Sequence, residues 1–107
     1  MWTVVLAKEA EKELKKSVKK RFITNEDIKI LKIWVAQIEK HGPEQIQKER
    51  RWNDHPLFLE WSGYRSSCFS SRGRIIYKIF EKKVVVEVVK ITAHHDYTKG
   101  DKNNEKV

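Results

Sequence analysis

Three histidines, His55, His94 and His95, and a basic stretch around Arg74 are the groups of this sequence best suited to chemistry. Imidazole is the one side chain that exchanges a proton near neutral pH without special perturbation, so these histidines are the candidate acids and bases. Arginine presents a planar fork of donors that matches phosphate oxygens, which lysine does not reproduce. His41 stands in "HGP", where a helix should end, and reads as structural. A metal centre fits poorly. His94 and His95 are adjacent, so a strand would point them to opposite faces, and no Cys pair or HExxH spacing accompanies them. Cys68 is the sole cysteine, which also excludes an internal disulfide. At this level a plainer reading stays open for each group. A His before Pro is commonly a turn residue, and arginines on an open sheet face are often only solvated.

The 107 residues suffice for one modest core, and 23 Lys and Arg against 15 Asp and Glu leave a net charge of +8. A polyanion is the natural partner, nucleic acid before a membrane surface. No run approaches the length of a spanning helix and the N-terminus has no signal-like apolar stretch, so a cytoplasmic protein is expected.

The elements that must position these groups follow from periodicity. "WTVVLA" reads as an opening strand. Ala7, Ala10, Leu14, Val18 and Phe22 then recur every three or four residues, opposite a face of lysines, which predicts a basic amphipathic helix. Thr24 or Asn25 can cap a second helix with Glu26 and Asp27 in its first turn. Its buried stripe is Ile28, Leu31, Val35 and Ile38, widened by Ile30, Ile33 and Trp34, and "HGP" ends it, giving a helical hairpin. Residues 44–54 read as a polar connector with a helical turn around 44–51. "LEWSGYRSSCF", "SRGRIIYKIF" and "KVVVEVVKIT" then read as strands, the last two an antiparallel hairpin, and "TKGDKNNEKV" as a frayed tail. Alternation puts Ile75, Tyr77 and Ile79 on one face, toward the helices, and Arg72, Arg74, Ile76 and Lys78 on the other, with Arg65 of the preceding strand expected to join this cationic face.

This order of elements, together with "DHPL" at Asp54 to Leu57, "WSGYR" at Trp61 to Arg65, "IYK" at Ile76 to Lys78 and a His after the last strand, resembles the RelE/ParE superfamily of bacterial type II toxins. The YafQ-type branch is the most similar. The resemblance implies an α+β, RelE-like fold, with an N-terminal strand and helical hairpin packed on an antiparallel twisted sheet in the order β-α-α-β-β-β. It implies a single toxin domain over residues 1–97, ahead of a disordered tail over 98–107.

It also implies an activity, ribosome-dependent endonucleolytic cleavage of messenger RNA, silenced by a cognate antitoxin. An RNA 2′-OH would attack the adjacent phosphate, which requires a base, an acid for the leaving 5′-oxygen and cations for the developing charge. RNA carries its own nucleophile, so neither a metal nor a cofactor is required. Carried over by position, His55 is the candidate base and His94 the candidate acid, in either order, with His95 or Tyr97 able to share the second role. Arg74 falls where relatives place a phosphate-stabilising Arg, and Arg65, Arg72 and Lys90 follow as RNA contacts. Tyr64, Trp61 or Tyr97 would stack on an unpaired base, or Trp61 and Tyr64 would instead be core. Contacts to 16S ribosomal RNA are implied too.

Two positions depart from the YafQ-like pattern: Cys68 replaces a second functional His and Arg72 an Asp. The paired lysines of the RelE branch are also missing, with Arg65 and Ser67 at the nearest positions. Cys68 reads as a small packed hydrophobe or a weak donor. Two other functions suit the charge: a ParE-like inhibitor of DNA gyrase, in which the histidines would be unnecessary, and a nonenzymatic RNA-binding module footed on the basic first helix.

Overall fold

The β-branched "TVVL" forms β1 (Thr3–Leu6), after which the lysine-rich repeat winds α1 (Lys8–Lys19). Thr24 starts α2 (Asn25–His41) with a reciprocal cap: its hydroxyl accepts from the Asp27 amide at 3.1 Å, and the Asp27 carboxylate accepts from the Thr24 amide at 3.0 Å. Gly42, at φ 89°, stops α2, and Pro43 opens the short α3 (Pro43–Lys48). The computed structural model describes residues 1–94; the expected tail, 98–107, lies outside the described residues.

A 3-10 turn at Arg50–Trp52 leads to β2 (His55–Pro56), followed by β3 (Arg65–Cys68), β4 (Arg74–Phe80) and β5 (Val85–Thr92). The sheet runs β1-β5-β4-β3-β2, antiparallel throughout except where β1 lies parallel to β5. The mixed α and β architecture is the one expected, with three differences. The polar connector holds a true helix, α3, because Ile46 and Trp52 have a core to enter. "LEWSGYRSSCF" does not form one long strand: Leu59–Trp61 is a 3-10 turn with Leu59 at φ 57°, and only Arg65–Cys68 pairs. His55 and Pro56, read as a turn, form the fifth strand.

Trp34, Ile38 and Leu31 of α2 meet Ile75 and Tyr77 of β4 and Val86, Val88 and Ile91 of β5 in one core. Trp34 stands edge-on to Tyr77, ring centroids 5.2 Å apart, and donates its indole N–H to Ser67 at 3.0 Å. The first helix buries less than its period suggested. Ala10 is fully enclosed, but Val18 and Phe22 remain 40 % and 49 % exposed, because α1 lies along β5 and its last turn runs past the core. The hairpin is accordingly open. Between Leu14 on one helix and Ile28, Leu31 and Val35 on the other lies an apolar groove of about 330 Å³ whose floor is Val88 and Ile91.

Candidate active site

Strand register sorts the candidate residues onto two faces. Ser66 stands opposite Ile76 and His55, and Ile76 opposite Lys90, so these four form one row across the sheet on the side away from the helices. Cys68, Arg74 and Thr92 form the next row on that side. His55 and Arg74 are therefore two strands and one row apart, about 12 Å between Cα atoms on an ideal sheet, within joint reach of one phosphate for side chains of their length. Tyr64 and Lys78 continue the same side, the ammonium lying 5.3 Å from the Tyr64 ring centre.

His55 is exposed, and its ring orientation is set by its neighbour. Asn53 adopts the left-handed conformation at φ 43° and presents its carbonyl 2.9 Å from His55 Nδ1. A carbonyl only accepts, so Nδ1 carries the proton of the neutral ring, and Nε2 is left with its lone pair directed outward. That is the state a general base requires. The Asn53 side chain reaches the Cys68 thiol at 3.8 Å, which makes Cys68 a half-buried partner of this turn.

Arg74 is on the expected face but is only 8 % exposed. Its Nη1 donates to the carbonyls of Gly73 at 2.9 Å and Ser71 at 3.3 Å, so it also braces the β3–β4 turn. That turn requires a glycine: a Cβ at Gly73 would sit 2.5 Å from the Phe69 ring. Arg72, in the same turn, is exposed.

Arg65 does not join the cationic face. It stands opposite Tyr77, on the helix side of the sheet, and its Nε donates to Asp54 at 2.7 Å. The expectation failed because parity was counted within β4 but not carried across to β3, where residue 65 pairs with 77. Burial by itself would lower the Arg65 pKa, but the hydrogen bond and charge of Asp54 hold it above the ordinary value. Asp54 accepts also from Ser67 Oγ at 2.6 Å and Tyr77 OH at 2.5 Å. Burial, then the neighbouring carboxylate, raises the Tyr77 hydroxyl far above the ordinary tyrosine range.

Lys90 lies in the His55 row, yet its ammonium bonds Glu13 of α1 at 3.3 Å, and the same carboxylate accepts from the Ile91 amide at 3.3 Å. It thus closes the part of the β5 edge that β1 is too short to cover. Trp61 and Tyr64 are half-buried and stand edge-on to each other at 5.3 Å, outside the central core, so neither the buried reading nor a free stacking surface describes them. The freely exposed apolar side chains of that loop are Phe58 and Leu59, at 72 % and 68 %.

His94 is exposed just past β5 and meets Phe22 edge-on, ring centroids 4.8 Å apart. On an ideal sheet lattice it lies about 20 Å from His55, three strands across and four residues along. The strand order thus separates the two histidines by at least three strand spacings, about 14 Å between Cα atoms. His95 and Tyr97 lie outside the described residues. Among those described, no three His, Cys, Asp or Glu side chains converge as a metal site would require.

Asn53, Asp54 and Ser67 were given no role from sequence. For the last two the missing information was the β3–β4 register. Once the register sets Arg65 and Ser67 on the face of Tyr77, a buried acceptor has to exist for them, and Asp54 supplies it.

No protein-family model and no curated protein sequence matches the chain. Solved structures do match in fold. YafQ from Escherichia coli aligns over 85 % of this chain and 91 % of its own with 20 % identity and a TM-score of 0.68. A metal-bound toxin from Helicobacter pylori aligns over 88 % and 96 %, with 23 % identity and a TM-score of 0.69. The YoeB–YefM complex from Staphylococcus aureus gives 89 % and 99 %, 14 % identity and a TM-score of 0.63. The chain therefore has the RelE-like toxin fold.

Proposed function

We propose that this chain is the toxin of a bacterial type II toxin–antitoxin pair and acts in the cytoplasm as a ribosome-dependent messenger RNA endonuclease. The observation that carries this reading is the geometry at His55: exposed on the open face, with Nδ1 2.9 Å from the Asn53 carbonyl, a contact that in the neutral ring selects the tautomer whose Nε2 accepts. In the reaction Nε2 takes the proton of an RNA 2′-OH, the oxygen attacks the adjacent phosphorus, and the 5′-oxygen leaves with a proton from an acid. Arg74, held rigid by its turn, stabilises the charge growing on the phosphate oxygens. The acid is assigned to His94, just after β5, or to His95 or Tyr97 beyond it; because base and acid act on two oxygens of one phosphorus, that group must close on the phosphate at His55 when RNA binds. No step calls for a metal or covalent intermediate.

The partner is an antitoxin, as YefM accompanies YoeB in the Staphylococcus aureus complex. An acidic amphipathic segment suits the molecule: its apolar side would enter the groove between α1 and α2, and its carboxylates would meet Lys12 and Lys16 of α1.

Mapping messenger RNA 5′ ends in a translation reaction, with and without ribosomes, tests the activity. Wild type should cut only with ribosomes, and His55→Ala should lower the rate by about 10²–10⁴-fold. His94→Ala should lower it as well. If both variants arrest translation and growth as strongly as wild type, the nuclease assignment is wrong, and breaks in DNA linked to gyrase would put the ParE-like activity in its place.

A further inference from the structure

β2 contains only His55 and Pro56, too few residues for ladder hydrogen bonds to hold it on the sheet. It nevertheless carries the group assigned as base. What fixes it is the residue before it. The Asp54 side chain is 0 % exposed and accepts three hydrogen bonds from two neighbouring strands: Arg65 at 2.7 Å and Ser67 at 2.6 Å on β3, and Tyr77 at 2.5 Å on β4. Ser67 itself accepts from Trp34, which ties the cluster to α2. Just beyond the strand, the Leu57 amide donates to the Tyr64 carbonyl at 2.9 Å.

Adjacent residues of a strand point to opposite faces. A carboxylate drawn into the helix side at position 54 therefore turns the imidazole at 55 to the open side. It also fixes the chain at Asn53, whose carbonyl must stay 2.9 Å from His55 Nδ1 to select the tautomer. A buried carboxylate satisfied this fully is rigid, because moving it would strand three donors.

We propose that Asp54 is a positioning residue for His55: its buried carboxylate clamps the two-residue strand to β3 and β4 and so sets both the direction of the imidazole and its Nδ1–H tautomer. The proposal rests on His55 being the base, but its decisive measurement does not depend on cleavage.

The experiment is nitrogen-detected NMR of the His55 ring in wild type, Asp54→Asn and Tyr77→Phe, beside cleavage kinetics on ribosome-bound messenger RNA. Wild type should show the Nδ1–H tautomer. In both variants the Trp34 indole signal and the β4–β5 amide pattern should persist, while the His55 ring becomes a mixture of tautomers and Leu57 amide exchange rises about tenfold or more. Cleavage should lose about 100-fold in kcat with KM within about twofold, the pattern of a misaimed group rather than a lost binding contact. An unchanged His55 tautomer together with unchanged Leu57 exchange in folded variants overturns the proposal. Tyr77→Phe removes one hydroxyl, so it decides the matter even where Asp54→Asn does not fold. Absence of cleavage by wild type would sink the nuclease reading alone and leave the tautomer comparison to judge the clamp.

Discussion

The two faces of the sheet handle polar groups in opposite ways. On the helix side, Arg65, Ser67 and Tyr77 all converge on Asp54, and a single carboxylate satisfies a cation and two hydroxyls among apolar neighbours. On the other side, Ser66, Ile76 and Arg74 are buried at the centre, but toward the rim His55 meets the Asn53 carbonyl and Lys78 lies over the Tyr64 ring, each contact separate and near solvent. The first arrangement is costly to disturb because each group left behind would be desolvated without a partner; the second is not, since water replaces whatever is removed. Structure on one face and chemistry on the other is the division this predicts.

Trp34→Ala should give the largest effect. It deletes a 1 % exposed indole, its edge-on contact with Tyr77 and the donor to Ser67, and should cost about 3–5 kcal/mol in urea denaturation. A loss under about 1 kcal/mol would mean the helix side is not the stabilising face. Next comes a contrast between two arginines that sequence reading had grouped together. Arg65→Ala leaves Asp54 with its two hydroxyl donors but no cation and should cost about 2 kcal/mol. Arg72→Ala, in the exposed turn, should stay within about 0.5 kcal/mol. Equal costs for the two would dissolve the distinction between the faces.

Much of this was readable in the chain. The Thr24 cap, the Gly42 stop and the pairing of the last two strands all depend on local pattern and appear as expected; the apolar stripe of α2 centres on Leu31, Trp34 and Ile38, while Ile33, expected to widen it, is 40 % exposed because it lies on the far side of the helix from the sheet. The alternation of β4 was also right, with Ile75, Tyr77 and Ile79 on the helix side. What local pattern does not contain is register between strands. Arg65 was misassigned because its face depends on standing opposite Tyr77, a contact set by the turn at residues 69–73. β2 was missed for a related reason: two residues carry no periodicity, and the strand exists because Asp54 is anchored by side chains 11 to 23 positions away. Of the site, His55 and Arg74 fell on the open face, whereas Lys90 was diverted by Glu13, a pairing 77 positions distant that no spacing rule detects.

The finest probe of the buried face is alkaline pH. In the folded protein the Tyr77 hydroxyl holds its proton well above the ordinary value, first because it is buried and then because Asp54 disfavours a second negative charge beside it. Unfolded, the same tyrosine titrates at about pH 10. Below that pH both states are protonated and the Tyr77–Asp54 bond contributes in full. Above it the unfolded chain has released a proton that the folded chain retains, so stability falls with rising pH by about 1.4 kcal/mol per unit from this group. Tyr77→Phe lacks both the bond and the proton. It should therefore be about 1 kcal/mol less stable than wild type at pH 8, and the gap should shrink steadily between pH 10 and 11. Lysines titrating in that range affect both proteins alike and cancel in the difference. A gap independent of pH would show that the Tyr77 hydroxyl is solvated, and with it would go the contrast between a sealed helix face and an open one.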